Sequence, residues 1–142
     1  MYRRCLVVSF AAALAACAAP SGADDLASAN DALARSGSPY RWQEARGADG
    51  VVRRERTIAG TPGPSMADDA SRRGILASIA QVESTCGADP AATKLVETRQ
   101  LSAEDVRTRE IWVVARAERR VAYVVTLVKG ETTDFFVRGV CE

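Results

Sequence analysis

The chain predicts an α+β fold: an antiparallel β-sheet, made of a C-terminal meander plus an N-terminal hairpin, with one main α-helix packed on it. Three observations predict this. Residues 66–86 repeat apolar side chains at helical spacing behind a capping signal. From Lys94 onward the periodicity changes to two, in four runs joined by short connectors, which makes the neighbours antiparallel. Ahead of the helix, two alternating runs flank Gly47-Ala48-Asp49-Gly50, a turn composition that predicts a hairpin.

Charge and composition narrow the function classes before any element is placed. At 142 residues the chain is one domain's worth. Without Arg3 and Arg4, the part from Cys17 onward carries 17 basic and 18 acidic side chains. That balance argues against a surface dedicated to phosphate backbones, so no nucleic-acid partner is expected. The chain has no histidine, and with it goes the usual general base at neutral pH and the commonest metal ligand. No metal and no cofactor are expected.

Residues 1–4 form a short cationic segment, residues 6–14 an apolar run, and small residues follow, as in an export signal. The apolar stretch is too short to cross a bilayer comfortably. At its end, Leu14-Ala15-Ala16-Cys17 resembles the lipobox of bacterial lipoproteins. The resemblance implies a signal peptide over 1–16, a lipidated Cys17, and, with Ala18 rather than Asp next, an outer-membrane lipoprotein whose domain faces the periplasm. Two or more acyl chains anchor stably where one binds only marginally. The alternative is ordinary signal-peptidase cleavage, which yields a soluble periplasmic or secreted protein.

Cys5 leaves with the signal and Cys17 is lipidated or removed, which leaves Cys86 and Cys141. In an exported domain the simplest outcome is one disulfide, worth about 4 kcal/mol in the chain-entropy account. Two unrelated buried thiols are the alternative.

Residues 18–39 are mostly Ala, Ser, Gly, Asp and Pro. With Cys17 they read as a flexible tether over 17–39, leaving 40–142 as a single domain. A short helix over 24–35 competes with that reading, since Leu26, Ala29 and Leu33 fall near one face, but its apolar stripe is thin. Ser36-Gly37-Ser38-Pro39-Tyr40 resembles the Ser-Gly-x-x-Tyr pattern of some periplasmic lysozyme-inhibitor lipoproteins; it is also ordinary loop chemistry. Tyr40 and Trp42 then share one face of the first hairpin run, and Arg53, Arg54 and Arg56 mark the second, which ends at Ile58. Residues 60–64 hold two prolines and two glycines, a break in regular structure.

Ser65 is the N-cap candidate, with Asp68 in the capping-box position and the helix starting at Met66. Ile75, Ile79 and Val82 form its inner stripe, with Leu76 and Ala80 beside it. One further turn brings Cys86 to the core side, and Gly87 ends the helix. Gly74 in mid-helix points to a close backbone approach. The four strands expected afterwards cover 94–101, 109–117, 120–129 and 133–141. In the last, Phe135, Val137, Gly139 and Cys141 share the face that the helix covers if Cys141 bonds Cys86, and Gly139 would let the helix backbone come close. The 120–129 strand is apolar on both faces, with Ala122, Val124 and Val128 on the second. Either the N-terminal hairpin covers that second face or another protein does.

Glu110-x-Trp112-x-Val114, Val121-x-Tyr123-x-Val125 and Thr133-Asp134-Phe135-x-Val137 resemble the three-strand ending of small uncharacterised exported proteins of proteobacteria. Those relatives often carry Cys-Gly in the first turn, where this chain has Ala117-Glu118. The resemblance implies no activity. Glu83, Ser84, Thr85, Glu97, Glu110 and Asp134 are scattered polar candidates for acid-base work only if they converge. Tyr40, Trp42 and Trp112 are candidates for a ligand platform or for core filling. The expectation is thus a non-enzymatic, lipid-anchored envelope protein that binds a protein partner, with Ala122, Val124 and Val128 as its interaction face. The alternatives are an enzyme inhibitor presenting residues 60–65, or an enzyme using converging carboxylates.

Overall fold

The computed structural model describes residues 22–139 and residue 141. The expected signal peptide and Cys17 lie outside the described residues. Within them the fold is α+β, as the periodicities predict. Helix α1 (Gly22–Arg35) precedes a hairpin of β1 (Tyr40–Arg46) and β2 (Val52–Ile58). A two-residue strand β3 (Thr61–Pro62) leads to helix α2 (Asp69–Thr85), a 3₁₀ turn at Pro90–Ala92, and the meander β4 (Thr93–Ala103), β5 (Arg107–Arg116), β6 (Arg119–Lys129) and β7 (Thr133–Arg138). The larger sheet runs in the order β3-β4-β5-β6-β7, antiparallel throughout, and the hairpin forms a separate two-stranded sheet.

Alternation along β5 and β6 divides the core into two layers. On one side of the sheet Trp112, Val114, Val121, Tyr123, Val125 and Leu127 meet Ile75 and Ile79 of α2. Both isoleucines are fully enclosed, a burial that contributes roughly 3–6 kcal/mol gross. Phe135 and Val137 of β7 join this layer, and Phe135 explains Gly74, because a Cβ there would lie 2.6 Å from the ring. Gly139 has a different reason from the one expected. Its missing side chain makes room for the Tyr123 ring, 2.2 Å from where a Cβ would stand, and not for the helix backbone. On the other side, Ile111, Val113 and Ala122 meet Tyr40 and Ala59, with Ile58 and Leu101 at the margin. The hairpin base therefore closes the second face.

Three local expectations are corrected. The residues assigned to a flexible tether contain α1, held to the hairpin by tertiary contacts: the Asn30 side chain donates to the Trp42 carbonyl at 2.9 Å and accepts from the Trp42 N–H at 2.7 Å. Arg54 adds an ion pair to Asp25 at 3.0 Å. The amide of Asn30 thus occupies one rung of the otherwise open β1 edge. Asn30→Ala should cost about 1 kcal/mol in global stability, and hydrogen exchange should accelerate in residues 22–35 well before it does in α2. Equal exchange in wild type and variant would remove this role.

Helix α2 starts three residues later than expected. Asp68 is its N-cap and accepts from the Ser71 N–H at 2.7 Å. Ser65 is occupied elsewhere: it accepts from the Ala67 N–H and donates to Glu110 at 2.6 Å. At the other end Gly87, at φ 77°, closes a Schellman motif, with the Ala88 N–H donating to the Glu83 carbonyl and the Gly87 N–H to that of Ser84. The third correction is β3. Thr61 and Pro62 pair with Gln100 and Arg99 despite the surrounding breakers, which an edge position allows because proline need not donate there.

Helix α2 and the C-terminal end are joined by the Cys86–Cys141 disulfide, with Cα atoms 5.2 Å apart and a sequence separation of 55. The turn between β5 and β6 places Ala117 at φ 49°, a left-handed conformation that costs an alanine roughly 1–2 kcal/mol.

Candidate functional site

The scattered carboxylates do not form an acid-base pair; each buried one is enclosed by its own donors. Glu83 sits on the inner face of α2 with no exposed surface. It receives Arg116 from β5 in a bidentate pair, Nε to Oε2 at 2.5 Å and Nη2 to Oε1 at 2.7 Å, and also the Tyr123 hydroxyl from β6. The Arg116 guanidinium holds the Glu83 carboxyl below its ordinary 4.5 against the opposing effect of burial, and the Tyr123 hydrogen bond adds to the lowering. Burial, first, and then the Glu83 charge push the Tyr123 phenol well above its usual range. Glu110, equally enclosed, accepts from the Ser65 hydroxyl and the Met66 N–H, each at 2.6 Å, and from the Trp112 indole at 2.9 Å. It is an anchor for the chain entering α2. Glu97 pairs with Arg99 and Arg120. Ser84, Thr85 and Asp134 are exposed.

Residues 60–65 do not protrude. The Gly60 carbonyl accepts from Arg99, the Gly63 N–H donates to the Thr98 carbonyl, and Thr98 donates back to the Gly63 carbonyl at 2.6 Å. The segment lies along the β4 edge. The interaction face expected at Ala122, Val124 and Val128 is also largely closed: Ala122 and Val124 are each 4% exposed within the chain, and Val128 is half-buried. The hairpin base, Tyr40 above all, takes the place kept for a partner.

What the structure forms instead is a cleft of about 320 Å³ where α1, the 36–39 loop, the hairpin and the β6–β7 end of the sheet meet. Its walls are Leu33, Pro39, Tyr40, Trp42 and Ala122. Tyr40 is buried as part of the second core layer, whereas Trp42 is 37% exposed and Trp112 belongs wholly to the core. Of the three rings, Trp112 fills the core and Tyr40 and Trp42 line the cleft. Arg56 lies over the Tyr40 ring, its guanidinium carbon 4.2 Å from the centroid. Arg138 stands at the cleft margin. No carboxylate is among the lining residues.

The backbone of this region is shaped by the Ser36-Gly37-Ser38-Pro39 sequence. Helix α1 ends as the Ser36 and Ser38 N–H groups donate to the Ala32 and Leu33 carbonyls, and Gly37 adopts φ 72°. A Cβ on Gly37 would stand 2.9 Å from Arg138 Nη1 and 3.9 Å from Arg109 Nη2. Two guanidinium groups from β5 and β7 thus converge on one glycine. Neither is paired with a carboxylate among the described residues. The sequence carries a partial signal for this site: Tyr40, Trp42 and Arg56 alternate onto one hairpin face, and Arg109 and Arg138 alternate onto the sheet face opposite α2.

Among the described residues no cluster of His, Cys, Asp or Glu could hold a metal ion, and no helix is long and apolar enough to cross a membrane. No protein-family model, curated protein or solved structure matches the chain.

Proposed function

We propose that this protein is a non-enzymatic binding protein of the bacterial cell envelope, lipid-anchored at Cys17, whose periplasmic domain takes a protein partner at the cleft between α1, the hairpin and the sheet. The cleft carries the binding part of the proposal: it is an apolar hollow rimmed by arginines and free of carboxylates, and such concave apolar sites with a few placed polar groups are where ligands bind. The non-enzymatic part is supported by Glu83 and Glu110, whose oxygens are already engaged by three donors each. The lipobox resemblance supports the anchor. Since α1 begins at Gly22, only residues 18–21 separate Cys17 from it, a reach of roughly 17 Å at full extension. The reading therefore places the domain close to the headgroups.

Cys17→Ser should abolish lipid labelling and shift the protein from the membrane to the soluble envelope fraction or strand its precursor; normal fractionation of labelled variant would reject the anchor. For the binding part, a photo-crosslinker at Ser38 in cells should capture one defined partner. The capture should disappear when Ser36→Trp fills the cleft and persist in a control with the crosslinker at Glu104. Capture that ignores Ser36→Trp would reject the cleft as the binding site.

A further inference from the structure

The convergence of Arg138 and Arg109 on Gly37 says more about the cleft than its shape does. Two like charges held near one point repel each other, and in a protein they are ordinarily separated or interleaved with carboxylates. Here the described residues provide no carboxylate to either. Arg109 is half-buried, so solvent screens it less than it would a free surface arginine. Gly37, in a left-handed conformation and without a side chain, gives the Arg138 guanidinium room to lie against the loop, with Arg109 next to it. Arg138 lines the cleft and Arg109 stands behind it at Gly37; beyond Arg138 the cleft turns apolar, with Leu33, Tyr40, Trp42 and Ala122 as its walls. At about 320 Å³ it lies at the small end of ligand cavities.

We infer that the cleft binds a carboxylate carried on a short apolar body, the carboxylate paired with Arg138 and Arg109 at Gly37 and the apolar body lying against Trp42, Tyr40 and Leu33. This rests on the reading of the cleft as the binding site and names the chemistry it selects. A planar guanidinium matches a carboxylate in a bidentate pair, and such charge-assisted bonds are stronger than neutral ones. The same chemistry is offered by a peptide ending in an apolar residue with a free C-terminus and by a medium-chain fatty acid. A partner recognised in this way would be read at its chain end.

Trp42 lines the cleft while Trp112 is sealed in the core, so tryptophan fluorescence of the full-length chain reports on the site. Four probes separate the possibilities: decanoate, decanol, an N-acetylated apolar tripeptide with a free carboxyl terminus, and the same tripeptide amidated. At least one acid should bind saturably, and at least tenfold more tightly than its neutral counterpart. Which acid does so distinguishes the fatty-acid source from the chain-terminal one. Arg138→Gln should erase that discrimination, Arg109→Gln should reduce it, and Trp42→Phe should silence the signal while calorimetry still detects binding. Neutral probes that bind as well as the acids, or discrimination that survives Arg138→Gln, would overturn the carboxylate assignment and leave the cleft as a binding site. No saturable binding of any probe would overturn the assignment too, whereas the Ser38 crosslinking outcome judges the cleft independently.

Discussion

Glu83→Ala should destabilise the domain by about 3–5 kcal/mol, because it leaves the Arg116 guanidinium, only 16% exposed, without its counter-charge and the Tyr123 hydroxyl without its acceptor. Replacing the ion pair together, as Glu83→Met with Arg116→Met, should recover the part of that loss due to the unpaired charge, since a buried pair exchanged for apolar groups of similar size is often neutral, while the Tyr123 hydroxyl still lacks its acceptor. The measurement is the urea midpoint of the three proteins at pH 7. The pH dependence follows from the direction of the shift. The Glu83 carboxyl is depressed below its ordinary 4.5 in the folded chain, so its contribution is fully present above that value. It is lost as the pH falls below 4.5 through the folded-state value. The fall in stability between pH 5 and pH 3 should therefore be shallower in the double variant than in the wild type. An unchanged acid limb would mean that Glu83 is not the group that titrates.

Removing the Cys86–Cys141 bond should have an effect of similar size. Closing a loop with a sequence separation of 55 is worth about 4 kcal/mol in the chain-entropy account, which for a domain of this size lowers the melting temperature by roughly 12–20 °C. Cys86→Ser, Cys141→Ser and their combination should melt alike, because either single change opens the same loop. Reductant should bring the wild type down to the same temperature and slow its migration on a denaturing gel. Identical mobility after alkylation, with two free thiols in the oxidised protein, would show that the bond is absent.

The features legible in the sequence are those with short-range causes. Apolar spacing marks α2 and the meander because one face of each must reach the core, and Gly87 ends the helix because the left-handed C′ position favours glycine. The pairing of Cys86 with Cys141 is the simplest outcome once the export reading sets Cys5 and Cys17 aside, and the two cysteines are bonded. The misreadings have long-range causes. Ser65 and Asp68 are both competent caps, and the choice between them is made by Glu110, forty-five positions from Ser65, which takes the serine hydroxyl for itself. Helix α1 has no buried residue, so its apolar stripe understates a stability that comes from Asn30 and Asp25 reaching the hairpin. The second face of the 120–129 strand left two covers open, the hairpin or a partner, because nothing in its own strand says that Tyr40 will pack on Ala122. The cleft was legible only in part: Tyr40, Trp42 and Arg56 share a hairpin face in the sequence, but Leu33, Ala122 and Arg138 come from separate segments that only the fold brings to them.

The cleft's walls differ in how firmly they are held. Tyr40 and Ala122 belong to the core, and moving either opens it. Leu33 rides on α1, whose ties to the hairpin include the Asn30 amide, the exposed Arg54–Asp25 ion pair and a bond from Arg54 to the Gly22 carbonyl. These ties are exposed to solvent, whereas Tyr40 and Ala122 are buried, so α1 is the wall of the cleft that the core holds least. If the cleft is the binding site proposed above, its affinity scales with the fraction of molecules in which α1 is docked. On that reading Asn30, which is not among the cleft's lining residues, tunes the affinity from outside.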